Sequence, residues 1–248
     1  MIEINNISKT FNPNSPQEIR ALEGITLNIS NEEFVVIVGA NGSGKSTLLN
    51  AIAGNIIADK GSISIENTNV TDWKDYRRSK WIARIFQDPF SGTASELSII
   101  DNFRLASIRT KKKGLTIGIN AKFKELVRER IAMLGLGLEN KLEQPVGTLS
   151  GGQRQALTLI MAIMDNAKIL LLDEPSAALD PKTSALIMQK ADDIIKEFKL
   201  TSILVTHNLK DAINYGNRII LMKEGSVFYD HKADVKTKLS LQQLQDWF

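Results

Sequence analysis

Phe34-Val35-Val36-Ile37-Val38-Gly39-Ala40-Asn41-Gly42-Ser43-Gly44-Lys45-Ser46 decides the architecture of this chain. Its first five residues are continuous, apolar and mostly β-branched, as in a strand buried on both faces of a parallel sheet. Gly39 to Ser46 then fits Gly-x-x-x-x-Gly-Lys-Ser/Thr, the phosphate-binding P-loop pattern. Lys45 to Ala53 has helical spacing, and Gly54 supplies a stop. Glycines at 39, 42 and 44 let the backbone turn and approach a ligand closely, while the helix start presents its positive end to an anion. Lys45 offers a cation between β- and γ-phosphates and Ser46 a hydroxyl for Mg²⁺. The candidate nucleotide site is therefore Gly39, Ala40, Asn41, Gly42, Ser43, Gly44, Lys45, Ser46 and Thr47. The bland alternative, a tight strand–helix turn, does not call for the lysine, the hydroxyl and both flanking elements together.

Outward from this stretch, Ile2 to Ile7 and Leu22 to Ile29 alternate as strands, separated by the turn-rich Asn12-Pro13-Asn14-Ser15-Pro16. Ser62 to Ile65 reads as a hairpin-like strand after Asp59-Lys60-Gly61. From about Pro89 to Leu149 strand signals disappear, and Phe123, Leu126, Val127, Ile131 and Leu134 mark one helix face that Gly135 and Gly137 end. Ser150 caps a further helix. Ile169 to Leu172 and Ser202 to Thr206 are buried strands with a helix over 183–198 between them, and Ile219–Met222 with Ser226–Tyr229 form a hairpin. These signals predict an α/β fold with an inserted helical segment.

Composition bounds the function. The chain has 248 residues, 43% hydrophobic and 24% charged, the profile of an ordinary globular protein. It has no cysteine, which excludes disulfides and thiolate metal sites. The net charge of +3 falls short of the excess that nucleic-acid binders carry, and no nucleic acid is expected. Phe34–Val38 and Ile169–Leu172 are among the longest apolar runs, far below the ~20 residues of a membrane span, and Met1-Ile2-Glu3-Ile4-Asn5-Asn6 lacks the character of a signal peptide. The expected location is the cytoplasm, with any membrane part on another polypeptide.

Asp173 and Glu174 close the apolar run Ile169 to Leu172, so both carboxylates sit at the carboxyl end of a buried strand, where open α/β sheets bind ligands. Leu149-Ser150-Gly151-Gly152-Gln153 puts a hydroxyl and backbone N–H groups at a helix N-terminus, a second anion site; read blandly, it is only a well-capped helix. With Phe86-Gln87-Asp88-Pro89 and Val205-Thr206-His207-Asn208, the ordered series resembles the ATP-binding-cassette (ABC) ATPase family over about residues 2–225. The resemblance implies an α/β fold: a P-loop NTPase core of ABC ATPase type with an antiparallel β subdomain and an inserted α-helical subdomain. One domain over 1–248 is expected, with the core at about 1–88 and 156–248 and the helical subdomain, carrying the signature, at about 89–155.

The same resemblance implies roles. Asp173 holds Mg²⁺ through water, Ser46 and Gln87 also serve the metal, and Glu174 orients and deprotonates the attacking water. Gln87 can touch metal or water and withdraw without stranding a charge. His207 is the switch histidine at the γ-phosphate, although a lone histidine after a strand is more often structural. Ser150, Gly151, Gly152 and Gln153 act on the ATP of a second copy in a head-to-tail homodimer, and Asp180, in Ser176-Ala177-Ala178-Leu179-Asp180, lies near the seam. Phe11 stands where the family stacks an aromatic on adenine; a core phenylalanine is the alternative. Lys111-Lys112-Lys113 reads as a solvated loop that could meet anionic lipid.

The function implied is ATP hydrolysis in a membrane transporter, with ATP and Mg²⁺ as cofactors, integral membrane permease subunits, an extracytoplasmic solute-binding protein, and a place on the cytoplasmic face of the membrane. Lys9-Thr10-Phe11-Asn12-Pro13, Gly92-Thr93-Ala94, Arg154-Gln155-Ala156-Leu157 and Lys210-Asp211-Ala212 are similar to bacterial importer ATPases assigned to tryptophan, tyrosine or related amino acids. Pro175-Ser176 departs from the His-Thr expected there. Glu18-Ile19-Arg20-Ala21-Leu22 resembles lipoprotein-release and macrolide-type exporter ATPases, which keeps export open. A non-transport ABC protein would usually carry a tandem cassette or a long coiled coil, and the Asn-Lys-x-Asp motif of a GTPase is missing.

Overall fold

Residues 2–110, 118–165 and 167–247 are described by the structure, a computed structural model; Lys111-Lys112-Lys113 lies outside them. In chain order, β1 (Ile2–Phe11), β2 (Ile19–Ile29), β3 (Phe34–Val38), α1 (Lys45–Ala53), β4 (Lys60–Ile65), β5 (Thr68–Asn69), α2 (Asp75–Arg78) and β6 (Ile82–Ile85) form the first part. Helices α3 (Ile99–Ser107), α4 (Ala121–Ala132) and α5 (Gly151–Ala162) follow. The last part holds β7 (Ile169–Asp173), α6 (Pro181–Glu197), β8 (Thr201–Val205), α7 (Leu209–Asn214), β9 (Arg218–Lys223), β10 (Ser226–Lys232), α8 (Ala233–Lys236) and α9 (Leu241–Gln245).

The strands make two sheets. A four-stranded antiparallel sheet has the order β2-β1-β4-β5, and a six-stranded sheet the order β10-β9-β3-β8-β7-β6. In the second, β9, β3, β8, β7 and β6 run parallel and β10 closes the edge antiparallel. The turn from β9 to β10 uses Glu224 and Gly225, both at positive φ (48° and 77°), the conformation a right-twisted two-residue hairpin requires.

Period-2 alternation sends the parallel strands' side chains to two apolar clusters. Val36 and Val38 of β3, Ala83 and Ile85 of β6, and Leu170 and Leu172 of β7 join one cluster with Phe103, Val127, Ile131 and Leu157 of the helical segment. Val35, Ile37, Ile82, Ile169 and Leu171 join the other with α1 and the antiparallel sheet. The helical segment thus shares its core with one face of the parallel sheet. Helix α5 runs unbroken across 155/156, where the sequence reading divides core from helices.

Two details differ from sequence expectation. β6 was not foreseen, because Arg84 interrupts its short apolar run. Leu126 is 40% exposed rather than buried with Val127 and Ile131, since it lies at the edge of the α4 stripe.

Candidate functional site

The P-loop leaves the end of β3 in the middle of the parallel sheet and enters α1. Gly39 and Gly44 cannot be replaced cheaply. At Gly39 (φ 154°) a Cβ would stand 2.3 Å from the Met222 carbonyl oxygen, and at Gly44 (φ 97°) 2.4 Å from that of Ala21. Gly225 N–H donates to the Ser43 carbonyl at 3.1 Å, so the hairpin turn braces the loop from below. Gly44 is the N-cap of α1 and no side chain caps that terminus, which leaves its first N–H groups to a ligand. Ala40 to Ser43, Leu221 to Glu224 and Trp247 line a cavity of about 290 Å³ beside it.

Lys45 is 5% exposed and folds back onto the loop, donating to the carbonyls of Gly39 (2.8 Å) and Ala40 (2.9 Å). Burial pushes its ammonium pKa down, while Glu174 and Asp173 oppose the shift. An incoming phosphate would replace these carbonyls as the lysine's partners. Ser46 Oγ lies 3.4 Å from Asp173 Oδ1. A hydroxyl and a carboxylate oxygen side by side are the hard donors Mg²⁺ takes, with phosphate oxygens completing the set, so these residues fit that ion.

Asp173 ends β7, and the next residue, Glu174, is held at φ 46° with its N–H on the Val205 carbonyl at 2.9 Å. A left-handed conformation costs a non-glycine residue about 1–2 kcal/mol. Its carboxylate accepts a 2.9 Å hydrogen bond from His207 Nδ1, just beyond β8. The parallel register sets Asp173 opposite Val205, which is why the residues after the two strands meet. Asp211, one turn further on α7, is buried, and burial raises its carboxyl pKa against the opposing effect of His207.

The structure therefore pairs Ser46 with Asp173 and His207 with Glu174, the two carboxylates being consecutive at the end of β7. Gln87 stands exposed in the loop after β6, outside this hydrogen-bonded set. Phe11 is half-buried at the end of β1 and belongs to neither apolar cluster, which removes the core-phenylalanine alternative. Ser150 caps α5 in a box with Gln153, each side chain accepting the other's backbone N–H at 3.3 and 3.1 Å. A Cβ on Gly152 would meet the Thr183 methyl at 2.2 Å, so the signature turn lies directly on the start of α6. Asp180 caps α6 from there, and the Thr183 side chain and N–H hold its carboxyl below the usual range.

Three residues here have contacts that the sequence does not announce, although Arg154 and Gln155 stand in a stretch that carries the resemblance to importer ATPases. Gln155, buried on α5, donates to the carbonyls of Phe86 and Pro175, each at 2.9 Å, and so ties the signature helix to the residues beside Gln87 and Glu174. Arg154 fixes the same helix through Ser95 Oγ (3.0 Å) and the Gly147 carbonyl (2.8 Å). Arg84 pairs with Asp173 at 2.6 Å. Adjacent apolar strands gave the only signal for Arg84: a charge inside such a run needs a buried partner.

A P-loop at the head of a central parallel strand, with an acidic strand end and a histidine beside it, defines a nucleotide-binding ATPase. Residues 22–177 match the ABC transporter family model, and the chain belongs to that family. It is 40% identical to the tyrosine transport ATP-binding protein of Clostridioides difficile, over 100% of this chain and 98% of that protein. To the phosphonates import ATP-binding protein PhnC of Shigella flexneri it is 32% identical, covering 95% and 90%. A dimeric, post-hydrolysis structure of the ATP-binding cassette MJ0796 bound to ADP and phosphate matches with a TM-score of 0.80 at 32% identity, over 94% of this chain and 99% of that one. The ADP conformation of the cassette MJ1267 matches with a TM-score of 0.81 at 25% identity, over 99% and 96%. The chain is the ATP-binding subunit of an ABC transporter and an ATP hydrolase. Among the described residues no helix is long and apolar enough to cross a membrane.

Proposed function

We propose that this chain powers a bacterial importer of amino acids or similar small solutes from the cytoplasmic face of the membrane, as a homodimer bound to separate permease subunits and fed by an extracytoplasmic solute-binding protein. The observation that carries the catalytic part is a pair of contacts at one strand end, Ser46 with Asp173 at 3.4 Å and His207 with Glu174 at 2.9 Å, joined because Asp173 and Glu174 are consecutive in the chain. In this reading Gly39 to Thr47 cradle the phosphates, Phe11 stacks on adenine and Gln87 reaches in when nucleotide arrives. Ser46 and Asp173 would hold Mg²⁺, which would supply charge neutralisation to the nucleotide's phosphates. Glu174 takes the proton of the attacking water, and His207 holds that carboxylate and meets the γ-phosphate.

Ser150 to Gln153 serve the other copy's ATP. Support comes from where the signature sits: its hydroxyl oxygen caps its own helix, and its glycine packs on α6 beside Asp180. We assign the core to about 1–88 and 156–248 and the helical subdomain to about 89–155, with Gln155 as the buried tie between them. A relative named for phosphonates import supports import, and the tyrosine transport ATP-binding protein, matched end to end, favours an amino acid.

Glu174→Gln tests the mechanism: ATP binding persists while hydrolysis falls to background, and unchanged turnover overturns it. Calorimetric titration of the cognate solute-binding protein with tyrosine, tryptophan and phenylalanine tests the cargo. Micromolar binding of one of them is expected, and no binding of any overturns the amino-acid reading.

A further inference from the structure

We propose that Arg84 is a positioning residue for Asp173, fixing which carboxylate oxygen faces the metal side of the nucleotide site; this rests on reading Asp173 as a residue that serves Mg²⁺. Arg84 is the third residue of β6, and strand alternation turns it with Ile82 toward the face covered by α1. Asp173 ends the adjacent β7 on the same side as Ile169 and Leu171. There Arg84 Nη2 donates to Asp173 Oδ2 at 2.6 Å. Its Nη1 donates to Asn50 Oδ1 on α1 at 2.6 Å and to Asn55 Oδ1 at 3.0 Å.

Two consequences follow from this fork. With Oδ2 committed to the guanidinium, Oδ1 is the oxygen turned to Ser46 Oγ, 3.4 Å away. The same guanidinium joins α1, which carries Lys45 and Ser46 in its first turn, to β7, which carries Asp173. It thereby sets the spacing of hydroxyl and carboxylate. Both side chains are largely covered, 12% and 15% exposed, so the pair is not a solvent-screened surface contact. The Phe86 ring lies 4.9 Å from the guanidinium carbon and closes its open side next to Gln87. Only a planar fork reaches both Asp173 and Asn50 in this geometry, so lysine cannot substitute.

The test uses the full chain and measures ATP affinity by calorimetry with Mg²⁺ and again with EDTA; the ratio is the divalent gain. Removing the partner of a metal-side carboxylate costs about 10–100-fold in metal affinity. Arg84→Gln is expected to keep its affinity in EDTA and lose about tenfold or more of the divalent gain. Asp173→Asn loses the gain as well, and the double variant loses no more than Asp173→Asn alone, because the two act as one unit. A full gain in Arg84→Gln, or a fall in EDTA affinity as large as that in Mg²⁺, overturns the proposal while a loss in Asp173→Asn leaves the site reading intact. A full gain in Asp173→Asn overturns the site reading itself. Should Arg84→Gln fail to fold, Arg84→Lys is measured in the same way, and a full gain there overturns the fork.

Discussion

Replacing Arg78 with methionine should unfold the site from behind. Arg78 is fully buried, although it sits in the charged run Asp75-Tyr76-Arg77-Arg78-Ser79-Lys80. Its Nη1 donates to the carbonyls of Ala51 (2.7 Å) and Ile52 (2.9 Å), which are among the last four of α1 and have no partner within the helix. Its Nε and Nη2 donate to the carbonyls of Trp73 (2.8 Å) and Thr71 (3.0 Å). The guanidinium thus closes the C-terminal end of the helix whose N-terminal end forms the P-loop. Stranding four buried carbonyls at about 1–2 kcal/mol each costs about 4–8 kcal/mol. Against this, burial lowers the Arg78 pKa to about 10, and relief of that desolvation returns about 3 kcal/mol at about 1.4 kcal/mol per pH unit. The net expectation is a loss of about 3 kcal/mol, or about 6–12 °C in Tm for a chain of this size. Urea and thermal unfolding followed by tryptophan fluorescence would report it, because Trp73 and Trp81 stack beside the junction with centroids 6.0 Å apart. A loss below about 1 kcal/mol would show that water or repacking satisfies the four carbonyls, and the accounting in terms of buried acceptors would be wrong.

Other perturbations have equally definite outcomes. Gly44→Ala forces a Cβ to 2.4 Å from the Ala21 carbonyl at φ 97°, so nucleotide affinity should drop more than about tenfold with about 1–2 kcal/mol of strain, measured by calorimetry and melting. Ser150→Ala removes the cap of α5 and should cost about 1 kcal/mol of stability. Its turnover should fall about 100-fold, as when one transition-state donor is lost, with ATP binding to the separate chain retained. Lys168, 2.6 Å from Glu66, is the main reason that carboxyl titrates at about 2. Because the folded pKa is depressed, the pair's contribution is complete above the ordinary value near 4.5 and is lost as pH falls toward 2. In Lys168→Met the carboxyl should titrate higher by NMR, and the acid limb of the stability profile should flatten.

Local signals carried the parts of the fold that are contiguous in sequence. Phe34–Val38, Lys45–Ala53 with Gly54, and the hairpin at Glu224-Gly225 each declare themselves within a dozen residues, through β-branching, helical spacing and turn chemistry. The Ser150 cap was visible for the same reason. What stayed hidden depends on strand pairing across long separations. Arg84 and Asp173 lie on neighbouring strands, yet the whole helical segment separates them in the chain. Gln155 reaches backbone carbonyls of two loops at once, and no local pattern marks a side chain for that task. Nothing distinguishes Arg78 from Arg77 until α1 lies over one of them. Phe11 was legible as an aromatic at a familiar place, but its exclusion from both apolar clusters needed the sheet.

The left-handed backbone at Glu174 carries a cost that bears on how such a chain can be engineered. At φ 46° a glycine would relieve about 1 kcal/mol or more of strain, and Glu174→Gly should raise the melting temperature while removing the proposed base. Stability and turnover therefore pull in opposite directions at a single position. A selection for heat resistance blind to ATP consumption would drift toward a sturdier, inert cassette, still able to bind nucleotide and still able to occupy its partners.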